Sequence, residues 1–218
     1  MTDPAIYAAW YETARGAWIG RIEFALLREL LALGPHESVL DIGCGTGYFT
    51  TLFAQLTDGP VVGLDSNTSW LRYAANRGPS SIAWVAGRGE AMPFPDRSFD
   101  VTVSVTALCF IADQQTAIRE VFRVTRRRFV LGFLNRHSLL WWQNGRRGGR
   151  GGYRGARWHT AREVRELLSS SPFHGIRIRS AILFPTGGRT ARWLEEWLSP
   201  RLPWGGFLAV VGEVTGCR

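Results

Sequence analysis

The chain has 218 residues, 45% of them hydrophobic and 20% charged, enough to build a folded domain and too apolar for a disordered one. Its formal net charge is +8 and every basic residue is arginine, because the chain has no lysine. No run of ~18 or more apolar residues occurs, the opening Met1-Thr2-Asp3-Pro4 lacks signal-peptide features, and three scattered cysteines (Cys44, Cys109, Cys217) fit neither a disulfide framework nor a metal spacing, so a cytoplasmic protein with no transmembrane segment and no metal site is expected.

Residues Pro4 to Leu33 read as helix. Ile6, Trp10, Ala14, Ala17, Trp18, Ile22, Ala25, Leu26, Leu30 and Leu31 recur at spacings of three and four. Gly16 and Gly20 suggest a break into two helices, and Gly34-Pro35 ends the segment.

The most informative stretch follows, Val39-Leu40-Asp41-Ile42-Gly43-Cys44-Gly45-Thr46-Gly47-Tyr48-Phe49-Thr50. An apolar run closes on an acid, a glycine-rich turn follows, and Phe49, Leu52, Phe53 and Leu56 recur at helical spacing. This is strand, tight loop and helix, the opening of a βαβ unit. Glycines let the backbone turn sharply and approach a ligand where a Cβ would block it, and the helix start offers unpaired N–H groups. The register excludes a dinucleotide fingerprint, since Tyr48 or Thr50 occupies the third glycine position, and a P-loop, since no Gly-Lys-Ser/Thr is present. What stands is D-x-G-x-G-x-G, followed by a second strand, Pro60-Val61-Val62-Gly63-Leu64-Asp65. Asp65, at that strand's end, can take both ribose hydroxyls of a nucleoside.

With these two features the sequence resembles the class I S-adenosylmethionine-dependent methyltransferases, of the branch that includes the ubiquinone/menaquinone-biosynthesis C-methyltransferases. The resemblance implies an α/β Rossmann-like fold in one domain over residues 1–218. It has a seven-stranded, mostly parallel sheet with an antiparallel last strand, helices on both faces and an N-terminal helical cap at 1–34. The cofactor implied is S-adenosyl-L-methionine. Its site is carried onto Asp41, Gly43, Cys44, Gly45 and Gly47 of the loop, and onto Asp65 and Ser66. Tyr11 and Arg15 of the cap are expected to face the methionine portion. Trp70 stands where the family has a methionine; it could stack on adenine or pack in the core.

The third strand, Ser81–Ala86, leads into Gly87-Arg88-Gly89-Glu90-Ala91-Met92-Pro93-Phe94-Pro95-Asp96-Arg97-Ser98-Phe99-Asp100. This resembles the family's G-D-A-E-x-L-P-F-P-D-x-S-F-D, with one departure. The acid that accepts from the adenine amino group is here Arg88, which has no acceptor. Glu90 or a backbone carbonyl would have to substitute, or Arg88 would stack on the purine; Arg88, Gly89 and Glu90 are all assigned to the cofactor site. The fourth strand, Val101–Val105, is almost continuously apolar, as inside a parallel sheet. Thr106, at its end, completes the predicted cofactor contacts. The following Ala107-Leu108-Cys109-Phe110 lacks both the Pro-Pro-aromatic segment of base-amino methyltransferases and the Pro-Cys of cytosine-C5 enzymes, so Cys109 reads as a small buried residue.

A helix from Ala112 to Val124 follows, with Ile118, Val121, Phe122 and Val124 toward the sheet. The family's glycine turn is replaced by Thr125-Arg126-Arg127-Arg128, and Phe129–Leu134 is the fifth strand. From Asn135 the resemblance thins. Arg136–Trp142 is amphipathic, and Gly145–Gly155 is nearly pure arginine and glycine, so a mobile loop is expected. Thr160 and Glu163 form a capping box for a helix with an apolar face of Val164, Leu167 and Leu168. Ile176–Ile182 and Phe207–Val211 are the last two strands, joined by a helical insert carrying Trp193, Leu194, Trp197 and Leu198.

Residues 136–158 and 185–205 therefore read as two insertions at the carboxyl edge of the sheet, where ligands bind in open α/β folds. Trp141, Trp142, Trp158, Trp193, Trp197 and Trp204 lie within them, and an aromatic lid rimmed by arginine is expected over an apolar acceptor. His137 and His159 bracket the first insertion and are the candidate catalytic bases. Charge divides along the chain: residues 1–118 carry 7 Arg against 12 acids, a balance of −5, and residues 119–218 carry 19 Arg against 6 Glu, +13. The basic half should attract an anionic acceptor, an anionic membrane surface or nucleic acid. The leading expectation is methyl transfer to a small-molecule or lipid-like acceptor. RNA methylation through the Arg/Gly loop is the second, and a non-catalytic cofactor-binding protein the third. Acceptor atom, pathway and oligomeric state are not legible in the sequence.

Overall fold

The structure is a computed structural model, and it describes residues 3–170, 172–186, 188, 193, 195 and 202–213. Its frame is a seven-stranded sheet of β1 (Val39–Ile42), β2 (Val61–Asp65), β3 (Ile82–Ala86), β4 (Phe99–Val105), β5 (Thr125–Leu134), β6 (His174–Ala181) and β7 (Phe207–Glu213), in the order β3-β2-β1-β4-β5-β7-β6. β1 to β5 pair in parallel, and β7 runs antiparallel to both β5 and β6. The order reverses beside β1, where β2 lies on one side and β4 on the other, opening a crevice beyond their carboxyl ends.

Side-chain alternation divides the core. Leu40 and Ile42 of β1 and Phe129, Leu131 and Phe133 of β5 join one cluster, packed against α5 (Gln114–Val124) and α7 (Ala161–Leu167). Val39, Val101, Val103 and Val130 join the other, under α2 (Ala14–Leu31) and α3 (Tyr48–Phe53), while α4 (Thr68–Arg77) packs against β3. Both sheet faces are covered, which accounts for the continuous apolar runs of the parallel strands.

Several boundaries differ from the sequence expectation. The N-terminal helix breaks at 11–13, between α1 (Pro4–Trp10) and α2, and Gly16 and Gly20 lie inside α2. Thr13 caps α2 through a hydrogen bond from the Gly16 N–H to its hydroxyl (3.0 Å). Gly16 serves close approach, since a Cβ there would lie 1.9 Å from the Trp10 carbonyl oxygen. The buried stripe of α2 is also rotated from the expected one: Ala14 and Ala25 are exposed, while Ile19, Glu23, Leu26, Leu27, Leu30 and Leu31 are buried.

No glycine turn is needed after α5. Thr125 is extended (φ −84°, ψ 131°) and the helix passes directly into β5, so the expected strand lengthens backward to include the arginine run. Arg128 donates to the carbonyls of Leu31 and Ala32 and pairs with Glu37; Arg127 also pairs with Glu37 (2.9 Å), and Arg126 with Asp100 (2.9 Å). Asp100 accepts from the Ser38 N–H (3.0 Å) and hydroxyl (2.7 Å), tying β4 to the entrance of β1.

The Arg/Gly stretch is not a structureless loop. Beyond α6 (Leu139–Asn144) it forms two 3-10 turns, at Arg146–Gly148 and Gly151–Tyr153. It folds back on itself through Arg150 N–H to Asn144 O (2.9 Å) and Gly155 N–H to Gly148 O (3.0 Å). Tyr153 anchors it, packed 5.5 Å from Trp158. Leu194, Trp197 and Leu198 of the expected helical insert lie outside the described residues.

Candidate active site

The loop after β1 is built on left-handed backbone. Gly43, Gly45 and Gly47 have φ of +72°, +58° and +82°, a region costly for residues bearing a Cβ. Space is as restrictive as conformation: a Cβ on Gly43 would lie 2.1 Å from the Ala107 Cβ, and one on Gly47 would lie 2.6 Å from the Trp84 ring. The loop is pinned by Asp65, whose two carboxylate oxygens accept from the Gly45 N–H (2.8 Å) and the Asn67 N–H (2.8 Å). Asp41, 2% exposed, accepts from the Thr50 hydroxyl at 2.6 Å. Burial pushes its carboxyl up to about 7, against the Thr50 bond and with help from the Asp65 charge.

These groups border a cavity of about 610 Å³. Gly43, Cys44, Gly45 and Thr46 form its floor, Asp65, Ser66 and Trp70 one side, and Arg88, Gly89 and Glu90 another. Val105, Thr106, Phe110 and Gly152 complete the rim, and Tyr7, Tyr11 and Tyr48 stand over it. Thr106 is left-handed (φ 60°), an outlier for a β-branched residue of the kind that clusters at functional sites. Its amide is held by the Gly132 carbonyl (3.1 Å), and its own carbonyl accepts from the Cys109 N–H (2.9 Å).

The aromatic roof is continuous. Tyr11 stacks on Tyr48 with centroids 3.8 Å apart and planes at 11°, Tyr7 meets Tyr11 edge-on at 5.9 Å, and Tyr7 contacts Trp70 at 4.8 Å. Trp70 thus joins the cap to the glycine loop, where a Cβ on Gly45 would come within 3.3 Å of it. On the opposite side Arg88 pairs with Glu90 (2.8 Å), Arg88 exposed and Glu90 18% exposed. Arg123 holds the segment carrying them, donating to the carbonyls of Phe94 (2.7 Å) and Met92 (3.1 Å) and pairing with Glu120 and Asp96.

Thirteen of the fourteen predicted cofactor residues therefore fall at or beside this cavity; Gly47 flanks it and the rest line it. Arg15 does not line it: it is exposed on the first turn of α2. Neither candidate base reaches it. His137 is exposed in a separate groove with Arg136, Glu163 and Trp204. His159 is 3% exposed, with Nε2 3.0 Å from Gln114 Oε1, and burial lowers its pKa to about 4, favouring the neutral imidazole. None of Trp141, Trp142, Trp158, Trp193 or Trp204 lines the cavity. Trp158 is core, while Trp142, Trp193 and Trp204 are exposed. Among the described residues, burial raises the thiols of Cys44 and Cys109, that of Cys109 to about 12, and so disfavours their thiolates. Sequence reasoning missed Tyr7, Tyr48 and Phe110, because aromatics at helix starts and turns carry no periodic signal.

Residues 40–131 match the model of a methyltransferase domain family. An uncharacterized protein of Mycobacterium tuberculosis is 36% identical over 193 residues, covering 85% of this chain and 63% of that protein. A ubiquinone/menaquinone biosynthesis C-methyltransferase of Hahella chejuensis is 34% identical over 127 residues, 48% of this chain and 51% of that one. The chain thus spans only about half to two thirds of these relatives. Among solved structures, a Thermotoga maritima SAM-dependent methyltransferase, described as a possible histamine N-methyltransferase, superimposes with a TM-score of 0.71 at 20% identity, covering 96% of this chain and 94% of that one. Residues 40–131 thus belong to the methyltransferase domain family, and the chain has the fold of S-adenosylmethionine-dependent methyltransferases.

Proposed function

We propose that the chain binds S-adenosyl-L-methionine in this cavity and transfers its methyl group to a small-molecule or lipid-like acceptor. One observation carries the reading: the left-handed glycine loop and the doubly anchored Asp65 form adjoining walls of a cavity with an aromatic roof. The residues fit a nucleoside sulfonium. The loop offers main chain where a Cβ cannot fit, Asp65 offers a fixed carboxylate at the end of β2, and Tyr7, Tyr11 and Trp70 offer ring faces to adenine or to a cation. Bound there, S-adenosylmethionine supplies an activated methyl group and asks little further chemistry of the protein.

The chain's own work is then positioning. Asp65 and the glycine amides hold the nucleoside end, and Asp41 and Thr106 border the methionine end. The tyrosine roof excludes water and presents the acceptor at ~3–3.5 Å in line with the breaking bond. The quinone-biosynthesis relative supports an acceptor with an apolar portion. The test is label transfer from methyl-labelled cofactor into an extract, with the labelled fraction identifying the acceptor; an extract that stays unlabelled while the cofactor binds favours a non-catalytic role.

RNA is a second reading, favoured by Arg146 lying over the exposed Trp142 ring (5.5 Å). Arg147, Arg150 and Arg154 follow on the same segment without ion pairs among the described residues. RNA affinity that falls steeply with salt would support it.

A further inference from the structure

Between Glu120 and Glu163 the chain has no acid. Within that stretch the turns after α6 carry Arg146, Arg147, Arg150, Arg154 and Arg157, all exposed and none in an ion pair among the described residues. Like charges left unpaired at one surface attract an anionic partner. The apolar side chains beside them are exposed as well. On α6, Leu140 is buried and Trp141 packs against the core, whereas Leu139 and Trp142, three positions apart on one side of the helix, are 50% and 64% exposed.

The backbone keeps the two features together. The Arg150 N–H donates to the Asn144 carbonyl (2.9 Å) at the end of α6, and the Gly155 N–H to the Gly148 carbonyl (3.0 Å), so the Arg/Gly segment stays beside the helix. The Arg146 guanidinium lies 5.5 Å from the centre of the Trp142 ring. That pair suits the boundary between lipid headgroups and acyl chains, where a tryptophan ring sits at headgroup level and a long cation reaches phosphate. Single-stranded RNA fits less well, because its bases need free ring faces. Trp142 is the only exposed aromatic residue of 139–157 and Arg146 already occupies one of its faces, while Leu139 offers nothing to a base or a phosphate. The same segment reaches the cavity: Gly152 lines it together with Phe110, which is 47% exposed at the rim.

We propose that α6 and the Arg/Gly segment dock on an anionic lipid bilayer. Leu139 and Trp142 enter the headgroup region, and Arg146, Arg147, Arg150 and Arg154 hold lipid phosphates. Neither contribution suffices alone. Two apolar side chains bury too little surface for stable anchoring, and arginines by themselves make a contact that salt removes. The docking goes beyond methyl transfer and needs neither cofactor nor acceptor. It sets the cavity rim at Gly152 and Phe110 next to the membrane, the phase in which a lipid-like acceptor is concentrated.

The test is flotation of the native chain with vesicles of phosphatidylcholine alone and with about 30% phosphatidylglycerol added, at low and high salt. The mixed vesicles should bind at least ~tenfold tighter, with an advantage that shrinks as salt rises. Lipids brominated near the headgroup should quench the tryptophan fluorescence of the bound chain, and Trp142→Phe should lose most of that quenching. Changing Arg146, Arg147, Arg150 and Arg154 together to Ser should remove the preference for anionic lipid, at about fivefold per arginine. Leu139→Ser with Trp142→Ser should weaken binding at least ~tenfold at either salt. Equal binding to the two vesicle types overturns the proposal, as does native binding without quenching, which is contact by charge alone. Tighter binding to a short single-stranded RNA than to the mixed vesicles, at matched phosphate concentration, assigns the surface to nucleic acid and also overturns it. These three outcomes are read on the native chain, so a misfolded variant does not rescue the idea. S-adenosylhomocysteine titration tests the methyltransferase reading apart from this one: a chain that fails to bind it can still dock, and a chain that fails to dock can still bind it.

Discussion

The two halves of the chain use charge in opposite ways. In the acidic half the carboxylates at the site are few and fixed: the half-buried Asp65 holds two main-chain N–H groups and the buried Asp41 a hydroxyl. In the basic half, arginines among the described residues pair to hold the fold together. Arg123, Arg126, Arg127, Arg128 and Arg179 pair with Asp96, Asp100, Glu37 and Glu29 of the acidic half. Part of the contrast between −5 and +13 is thus met by pairing between segments far apart in sequence. Arg146, Arg147, Arg150, Arg154 and Arg157 make no ion pair among the described residues, and neither do Arg119 and Arg165.

The comparison breaks most sharply at Asp65. Asp65→Ala removes the anchor of the glycine loop and the nucleoside carboxylate together, and should weaken S-adenosylhomocysteine binding by a factor of ~100 or more by calorimetry, since each charged hydrogen bond is worth about 1.5–3 kcal/mol. In the basic half the corresponding loss should appear in stability. Arg128→Ala leaves the buried Glu37 carboxylate short of a partner and removes the guanidinium donors to the Leu31 and Ala32 carbonyls, and should cost about 3 kcal/mol in denaturant unfolding with cofactor affinity unchanged.

A smaller, pH-dependent effect sharpens the contrast. Glu23 binds its proton more tightly folded than unfolded, so the folded chain holds more protons between the ordinary glutamate range and about 8. Stability should therefore fall as pH rises through that window. Asp41 contributes in the same direction up to about 7. Glu23→Gln should flatten part of this slope and be more stable than the native chain at pH 8 by at least about 1 kcal/mol; parallel curves would show that Glu23 is paired in solution. The smallest effect is expected where the sequence first pointed to chemistry. His137→Ala, and the joint change of Arg146, Arg147, Arg150 and Arg154 to Ser, should each shift unfolding by less than about 0.5 kcal/mol. His137→Ala should also leave label transfer unchanged.

What could be read in advance was what local chemistry dictates. The glycine loop, Asp65, the 87–100 segment and the strand succession each combine a composition with a spacing, and the sheet assembles them as that spacing requires. Glu23 was also within reach, as the one acid in a stripe set by Ile19, Leu26, Leu27 and Leu30, but the helix was assigned a rotated face through Ala14 and Ala25. The acceptor side was not legible. Tryptophan number said nothing of orientation, and His159 is buried beside its bridge to Asn135. The arginine run after α5 was misplaced because its partners, Glu37 and Asp100, are remote in sequence.

The most direct test of the account is titration of S-adenosylmethionine and S-adenosylhomocysteine into the native chain and Asp65→Ala, side by side. The account predicts saturable one-to-one binding of both compounds to the native chain and its loss in the variant. A native chain that binds neither, or an Asp65→Ala chain that binds both as tightly, would contradict it.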